Sequence, residues 1–257
     1  MATALVTGGT SGIGAAFARA LAARGDNLVL VGRNAARLDE TAADLKERYG
    51  VAVEVIVADL GLREDAVRVA ERLASREQPV DLLVNNAGFG VHAAITAVDS
   101  APHEYAFDVM CRAVLILSTA AARAMRERGH GAIVNVCSTA AFVTMGSYSA
   151  IKAWATVFTE GLAVELAGTG VSVTALCPGW VRTEFHQRAG IRTSKIPGSM
   201  WLDADRVVAD CLADVARGRV ISLPSRRYRA LIFLARHAPR SVVRAASAKL
   251  SSSRHAD

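Results

Sequence analysis

The sequence predicts an α/β protein, a doubly wound parallel β-sheet with helices on both faces, as a single domain carrying a basic C-terminal helical extension. Three observations predict it. Apolar, β-branched runs of strand length recur at Thr3–Thr7, Asn27–Val31, Ala52–Val57, Asp81–Val84, Ala132–Val136, Val171–Cys177 and Val220–Leu223. Most of these runs are almost continuously apolar, as expected of strands covered on both faces by helices. Between them lie stretches dominated by Ala, Leu, Arg and Glu, near residues 12–24, 35–49, 63–76, 100–128, 148–167 and 203–216, giving the alternating rhythm of βα units.

A chain of 257 residues with 52% hydrophobic and 5% aromatic content supports one large aliphatic core. No internal repeat or Pro-rich linker divides it, so residues 1–224 read as the sheet domain and 225–257 as the extension. The first ten residues, MATALVTGGT, lead straight into an apolar strand and lack the pattern of a signal peptide, so a cytoplasmic protein is expected. The longest apolar stretches are strand-sized or broken by charge, short of the roughly 20 residues that span a bilayer. Cys111, Cys137, Cys177 and Cys211 are widely spaced and read as small core residues, with no metal site expected. Residues 216–257 hold ten Arg and Lys against one acid, and residues 1–215 hold twenty against twenty-three. The net charge of +6 therefore comes from the tail, and nucleic-acid binding by the whole protein is not expected.

In a doubly wound sheet, ligands bind beyond the carboxyl ends of the strands, where strand order reverses. The first strand ends in Thr7-Gly8-Gly9-Thr10-Ser11-Gly12-Ile13-Gly14, followed at once by an Ala-rich helix. Backbone N–H groups of such a turn and the helix N-terminus suit a pyrophosphate, with Gly8, Gly12 and Gly14 as the enabling residues. A glycine-rich turn also serves any tight βα connection, so the turn alone decides nothing. The second strand ends in Val31-Gly32-Arg33-Asn34, where the acid that would bind the adenosine ribose is missing. Arg33 suits bidentate pairing with a 2′-phosphate, so NADP(H) is expected over NAD(H). Asp59 and Leu60 follow the third strand, and Asn86, Ala87 and Gly88 follow the fourth. Asp59 reads either as a capping acid or as an adenine contact, and Asn86 either as a turn former or as a buttress for the cofactor ribose.

Tyr148 and Lys152 stand four apart at the start of a predicted helix and share a face. Ser138 ends the fifth strand, ten residues upstream. With these residues in order, the chain resembles the short-chain dehydrogenase/reductase family over nearly its whole length. The match comprises TGxxxGIG at Thr7–Gly14, NNAG at Asn85–Gly88, Ser138, YxxxK at Tyr148–Lys152 and PGxxxT at Pro178–Thr183. The resemblance implies a Rossmann-type sheet. It also implies cofactor contacts from Thr10, Ser11, Ile13, Tyr148, Lys152 and Val181, and a nicotinamide near Pro178-Gly179 with Thr183 on its carboxamide.

Catalytic roles come with the resemblance. A tyrosine near pKa 10 is a poor proton shuttle at neutral pH unless a neighbouring cation, here Lys152, favours its phenolate. Ser138 would stabilise the charge on the substrate oxygen, and Tyr148 would give or take the proton. The sequence departs from the family at Met110, which stands in Asp108-Val109-Met110-Cys111 where the family's catalytic asparagine belongs. A thioether is a weak acceptor and no donor, so a catalytically weak or silent NADP(H)-binding sensor or scaffold is the competing expectation. The loop Thr139–Ser147 is also shorter than the family pattern.

Residues 183–203 lack periodicity and read as a substrate lid, with Trp180, Phe185 and His186 as candidate substrate contacts. Their character suggests a small hydrophobic carbonyl or alcohol, although the same apolar residues would also pack a closed lid. The tail, Ser225–His237 continuing through Arg240, Arg244 and Lys249, sets arginines around an apolar patch. It reads either as a helix on an anionic membrane surface or as one packed on its own subunit or a partner. Residues 251–257 read as disordered. The family resemblance implies a homo-oligomer, a dimer or tetramer.

Overall fold

The computed structural model describes residues 1–91, 93–184 and 197–255, the last seven as backbone. Strands β1 (Thr3–Thr7), β2 (Asn27–Gly32), β3 (Val53–Val57), β4 (Leu82–Asn85), β5 (Gly131–Val136) and β6 (Val171–Leu176) fall within a residue or two of the predicted runs. Two short strands, β7 (Trp180–Val181) and β8 (Trp201–Leu202), pair with each other, and β9 (Ile221–Ser222) completes the main sheet. Its seven strands lie in the order β3-β2-β1-β4-β5-β6-β9, each neighbouring pair parallel. Strand order reverses between β1 and β4.

The helices are α1 (Gly12–Ala23), α2 (Ala35–Tyr49), α3 (Arg63–Leu73), α4 (Ala101–Phe107), α5 (Ala113–Arg128), α6 (Gly146–Glu165), α7 (Ala204–Ala216), α8 (Arg226–His237) and α9 (Arg240–His255). Alternate strand residues serve opposite faces. Ala4, Val6, Leu28 and Leu30 pack with α1, α2 and α7, while Leu5, Val29, Val31 and Leu83 pack with α3, α5 and α6. Two apolar layers on one sheet are what the near-continuous apolar runs require. Local signals set the connections: Asn34 accepts a hydrogen bond from the Arg37 N–H (3.0 Å) to cap α2, and Gly50 closes that helix in the left-handed region.

The stretch Ala101–Arg128 corrects the reading that no segment is long and apolar enough to cross a membrane, because by length and composition this helix is. It packs on α3, β4 and β5, however, and 56% of its most apolar window is buried, as in a core helix. A π-helical turn, Asp108–Arg112, interrupts it. The last helix, α9, runs through His255, into the stretch the sequence reads as disordered.

A polar cluster inside the core ties β4 and β5 to the helices α5 and α6 that cover them. The Asn85 amide donates to Asn135 Oδ1 (2.8 Å) and Ser118 Oγ (3.0 Å), and the Asn135 amide donates to Thr159 Oγ1 (2.9 Å). All four residues are buried. Truncating Asn135→Ala removes one hydrogen-bond partner each from Asn85 and Thr159 away from water, so it is expected to lower unfolding stability by about 2 kcal/mol. Urea unfolding of the variant measures this.

Candidate active site

The sheet brings the ends of β1 and β4 side by side at the point of reversal, and the side chains stitch them there. Thr7 Oγ1 accepts the N–H groups of Asn86 and Ala87 (both 2.9 Å), and the Asn86 amide donates to the carbonyls of Thr7 (2.9 Å) and Gly8 (3.2 Å). Asn86 is thus a brace for the glycine turn. Gly8 holds φ +66°, and a Cβ on Gly14 would lie 2.2 Å from the Gly8 carbonyl oxygen. Gly14 therefore lets α1 sit directly on the turn and does not line the cavity above it, whereas Gly8, Thr10, Ser11, Gly12 and Ile13 do. The N-cap residue Ser11 makes no capping bond to the first turn of α1 and no acid lies in that turn, an arrangement suited to an anion.

That cavity, about 1930 Å³, runs along the carboxyl ends of the strands. Arg33, Asp59, Leu60, Ala87, Gly88, Pro178, Gly179, Val181 and Thr183 border it, as do Ser138, Tyr148, Lys152 and Trp180. Phe185 and His186 lie outside the described residues. Such a cavity has the extent, the glycine cradle and the terminal cation that a dinucleotide requires.

At one end, Asp59 is no helix cap: its Oδ1 accepts the Gly61 N–H (2.9 Å) within its own turn. The hydroxyl of Tyr105, which the sequence reading did not single out, donates to Asp59 Oδ1 (2.8 Å) and accepts from Arg33 Nη1 (2.8 Å). Burial and then the hydrogen bond to Asp59 raise the Tyr105 pKa, so the phenol stays neutral. The neutral ring thus stands between Arg33 and the carboxylate. Only an absent side chain at Gly61 admits it, since a Cβ there would lie 2.1 Å from the ring.

At the other end, Ser138 caps the 3₁₀ turn Thr139–Phe142, its Oγ accepting the Ala140 N–H (3.1 Å). An acceptor lone pair so engaged leaves the hydroxyl proton for a ligand in the cavity. Helix α6 starts at Gly146, two residues earlier than predicted, and places Tyr148 and Lys152 one turn apart. Lys152 is 6% exposed, donates to the Val136 carbonyl (2.8 Å), and its Nζ lies 5.8 Å from the Tyr148 ring centre. Burial lowers its pKa. Met110 sits in the π turn, 1% exposed, and a Cβ on Gly88 would lie 3.0 Å from its Sδ and 3.7 Å from Lys152 Nζ. The thioether therefore borders the lysine pocket from the apolar core.

The outer wall comes from an element the sequence left undecided. Tyr228 of α8 packs over Gly179, accepts the Trp180 N–H (3.0 Å) and donates to the Met200 carbonyl (2.8 Å). It clamps the β7–β8 pair, which holds the Trp180 and Trp201 rings 6.0 Å apart. Leu231, Ile232 and Ala235 then line the cavity. The signal was present as an apolar stripe at Tyr228, Ile232 and Ala235 opposite the arginines. Helix α8 thus packs on its own subunit, and the Ser247 hydroxyl of α9 accepts the Thr144 N–H (3.1 Å).

The short chain dehydrogenase family profile matches residues 2–192. A galactitol 2-dehydrogenase (L-tagatose-forming) of Cereibacter sphaeroides is 40% identical over 208 residues, 79% of each chain. Among solved structures, a short-chain dehydrogenase from Sphingobium yanoikuyae in complex with NADPH shares 32% identity with a TM-score of 0.83, covering 100% of this chain and 98% of its own. A bulky-bulky ketone specific alcohol dehydrogenase from Comamonas testosteroni shares 30% identity with a TM-score of 0.79, covering 100% and 96%. A profile match over most of the chain, on the Rossmann-type sheet just described, makes this protein a member of the short-chain dehydrogenase/reductase family of oxidoreductases.

Proposed function

We propose that the protein is an NADP(H)-dependent carbonyl reductase or alcohol dehydrogenase for a hydrophobic ketone or secondary alcohol. The observation that carries this reading is the convergence of Ser138, Tyr148 and Lys152 in one cavity with a glycine cradle at one side and an apolar outer wall at the other. The bound dinucleotide supplies the hydride donor or acceptor. Gly8, Gly12 and the first turn of α1 hold its phosphates, and Arg33 meets a 2′-phosphate. The Ser138 hydroxyl orients the substrate oxygen and stabilises the charge that grows on it. Tyr148 donates the proton to that oxygen in reduction and takes it back in oxidation. The Lys152 ammonium beside the ring favours the phenolate, and two of its three N–H donors remain for ribose hydroxyls.

Val143, Met145, Trp180, Leu231 and Ile232 supply an apolar wall, which favours substrates with bulky non-polar groups over sugars. The ketone-specific relative supports the same class. An NADPH-oxidation screen against aldehydes, ketosteroids, β-keto esters and quinones tests the reading. Turnover is expected with the hydrophobic ketones, and NADPH binding without turnover of any carbonyl contradicts it.

Met110 favours a second reading, a weakly active or silent NADP(H)-binding protein, since it puts no polar group beside Lys152. A Met110→Asn variant separates the two. An amide there would solvate the ammonium and oppose the lowering of the Lys152 pKa by burial. On the enzyme reading the wild type turns over, and the variant gains at most about tenfold, within the scale of one hydrogen bond to a charged group. A wild type without turnover beside an active variant supports the silent reading.

A further inference from the structure

Helix α8 has two apolar sides, and only one of them faces the protein. Tyr228, Ile232 and Ala235 point into the fold and the cavity. On the opposite side lie Ala230, Phe233, Leu234 and His237, with Phe233 62% and Leu234 64% exposed. Val242 of α9 adds a further exposed apolar side chain at 54%. A buried helix face explains the first set and leaves the second unexplained, because exposing a phenylalanine and a leucine side by side has no folding benefit.

The charge carried by this segment is one-signed. Between Arg226 and Ser247 the chain carries Arg226, Arg227, Arg229, Arg236, Arg240 and Arg244 and no acid. Arg236 approaches Glu160 (3.9 Å) and lies over the Phe142 ring, so it is partly engaged with the body. Arg226, Arg229, Arg240 and Arg244 are exposed, and Arg226 and Arg229 lie two turns and one turn before Phe233 on the same helix. A second copy of this chain would bring the same cations against themselves, so self-association through this face is disfavoured. Apolar side chains rimmed by cations match an anionic lipid surface, where non-polar groups enter the acyl boundary and arginines meet the headgroups.

We infer that the outer face of α8, centred on Phe233 and Leu234 and flanked by arginines, docks the protein on an anionic membrane surface. The inner side of the same helix lines the cavity through Leu231, Ile232 and Ala235, so docking holds the cavity's outer wall against the lipid. An amphiphilic, lipid-derived carbonyl dissolved in that membrane is then the substrate class, a step that rests on the function proposed above.

The test is co-sedimentation of the full chain with phosphatidylcholine vesicles, with or without phosphatidylglycerol, at low and high salt. Binding is expected to be at least about tenfold stronger to the anionic vesicles and to weaken with salt. Phe233→Ser/Leu234→Ser removes the inserting side chains and is expected to lose about tenfold in vesicle binding. Arg226→Gln/Arg229→Gln is expected to reduce the anionic preference. Both variants should keep wild-type turnover of a small water-soluble ketone, which shows that they fold. Equal binding to both vesicle types, or an unaltered Phe233→Ser/Leu234→Ser variant, overturns the inference. So does retention on heparin without vesicle binding, which would assign the charge to an acidic macromolecule. Anionic vesicle binding without reduction of any vesicle-dissolved ketone leaves the docking intact and counts against the proposed activity.

Discussion

Replacing Tyr148 by Phe is expected to lower kcat by about 10³-fold while changing the Kd for NADPH by less than about threefold. The substitution removes one oxygen and keeps the ring that Lys152 Nζ approaches at 5.8 Å. Without the hydroxyl, the alkoxide would have to form without its proposed proton donor, in an apolar pocket. Stopped-flow turnover and fluorescence titration of the nucleotide measure the two quantities separately. A Tyr148→Phe enzyme with near-normal kcat would remove the proposed proton donor, and a large loss of NADPH binding would mean that the hydroxyl acts chiefly on the cofactor.

The second large effect concerns Arg33. Loss of a bidentate charge-assisted pair is worth about 1.5–3 kcal/mol, so Arg33→Ala should raise the KM for NADPH by about 10- to 100-fold and leave that for NADH nearly unchanged. Tyr105 shapes this outcome. Its neutral hydroxyl separates the Arg33 guanidinium from Asp59 while fixing the direction in which the guanidinium points. In Tyr105→Phe the arginine loses that anchor, and a direct pairing with Asp59 would divert it from a phosphate. A rise of a few fold in KM for NADPH alone is expected, smaller than for Arg33→Ala. Matching changes with both nucleotides would show that Tyr105 acts only on the adenine end through Asp59.

The sheet was readable because its strands are buried on both faces: runs such as Leu28–Val31 and Leu82–Val84 have no polar alternation to blur their type or limits. The residues at the strand ends were readable for a related reason, since topology forces Gly8, Asn86, Ser138 and Pro178 onto one rim. Three features escaped. Strands β7 and β8 are two residues each and depend on Tyr228 holding them from 48 and 28 residues away. Tyr105 reaches Asp59 across 46 residues of sequence through a gap that only Gly61 leaves open. In Asn85 the motif was visible, but its work inside the core, bonded to Asn135 and Ser118, shows only once β4, β5 and α5 are packed together. In each case the deciding contact is tertiary: the stripe on α8 marks Tyr228 as facing inward, but nothing local names the partner it meets. Met110 is the reverse: the departure from the motif was plain in sequence, and packing then placed the thioether beside Lys152.

The most direct test of the central claim follows the transferred hydrogen. Wild-type enzyme, given NADPH deuterated at the reactive carbon of its nicotinamide and a bulky hydrophobic ketone, should yield a secondary alcohol with one deuterium on the carbinol carbon. The hydroxyl proton should come from solvent, and Tyr148→Phe should yield almost no labelled product. Alcohol formed without the label, or nucleotide bound while every carbonyl is returned unreduced, would contradict the account.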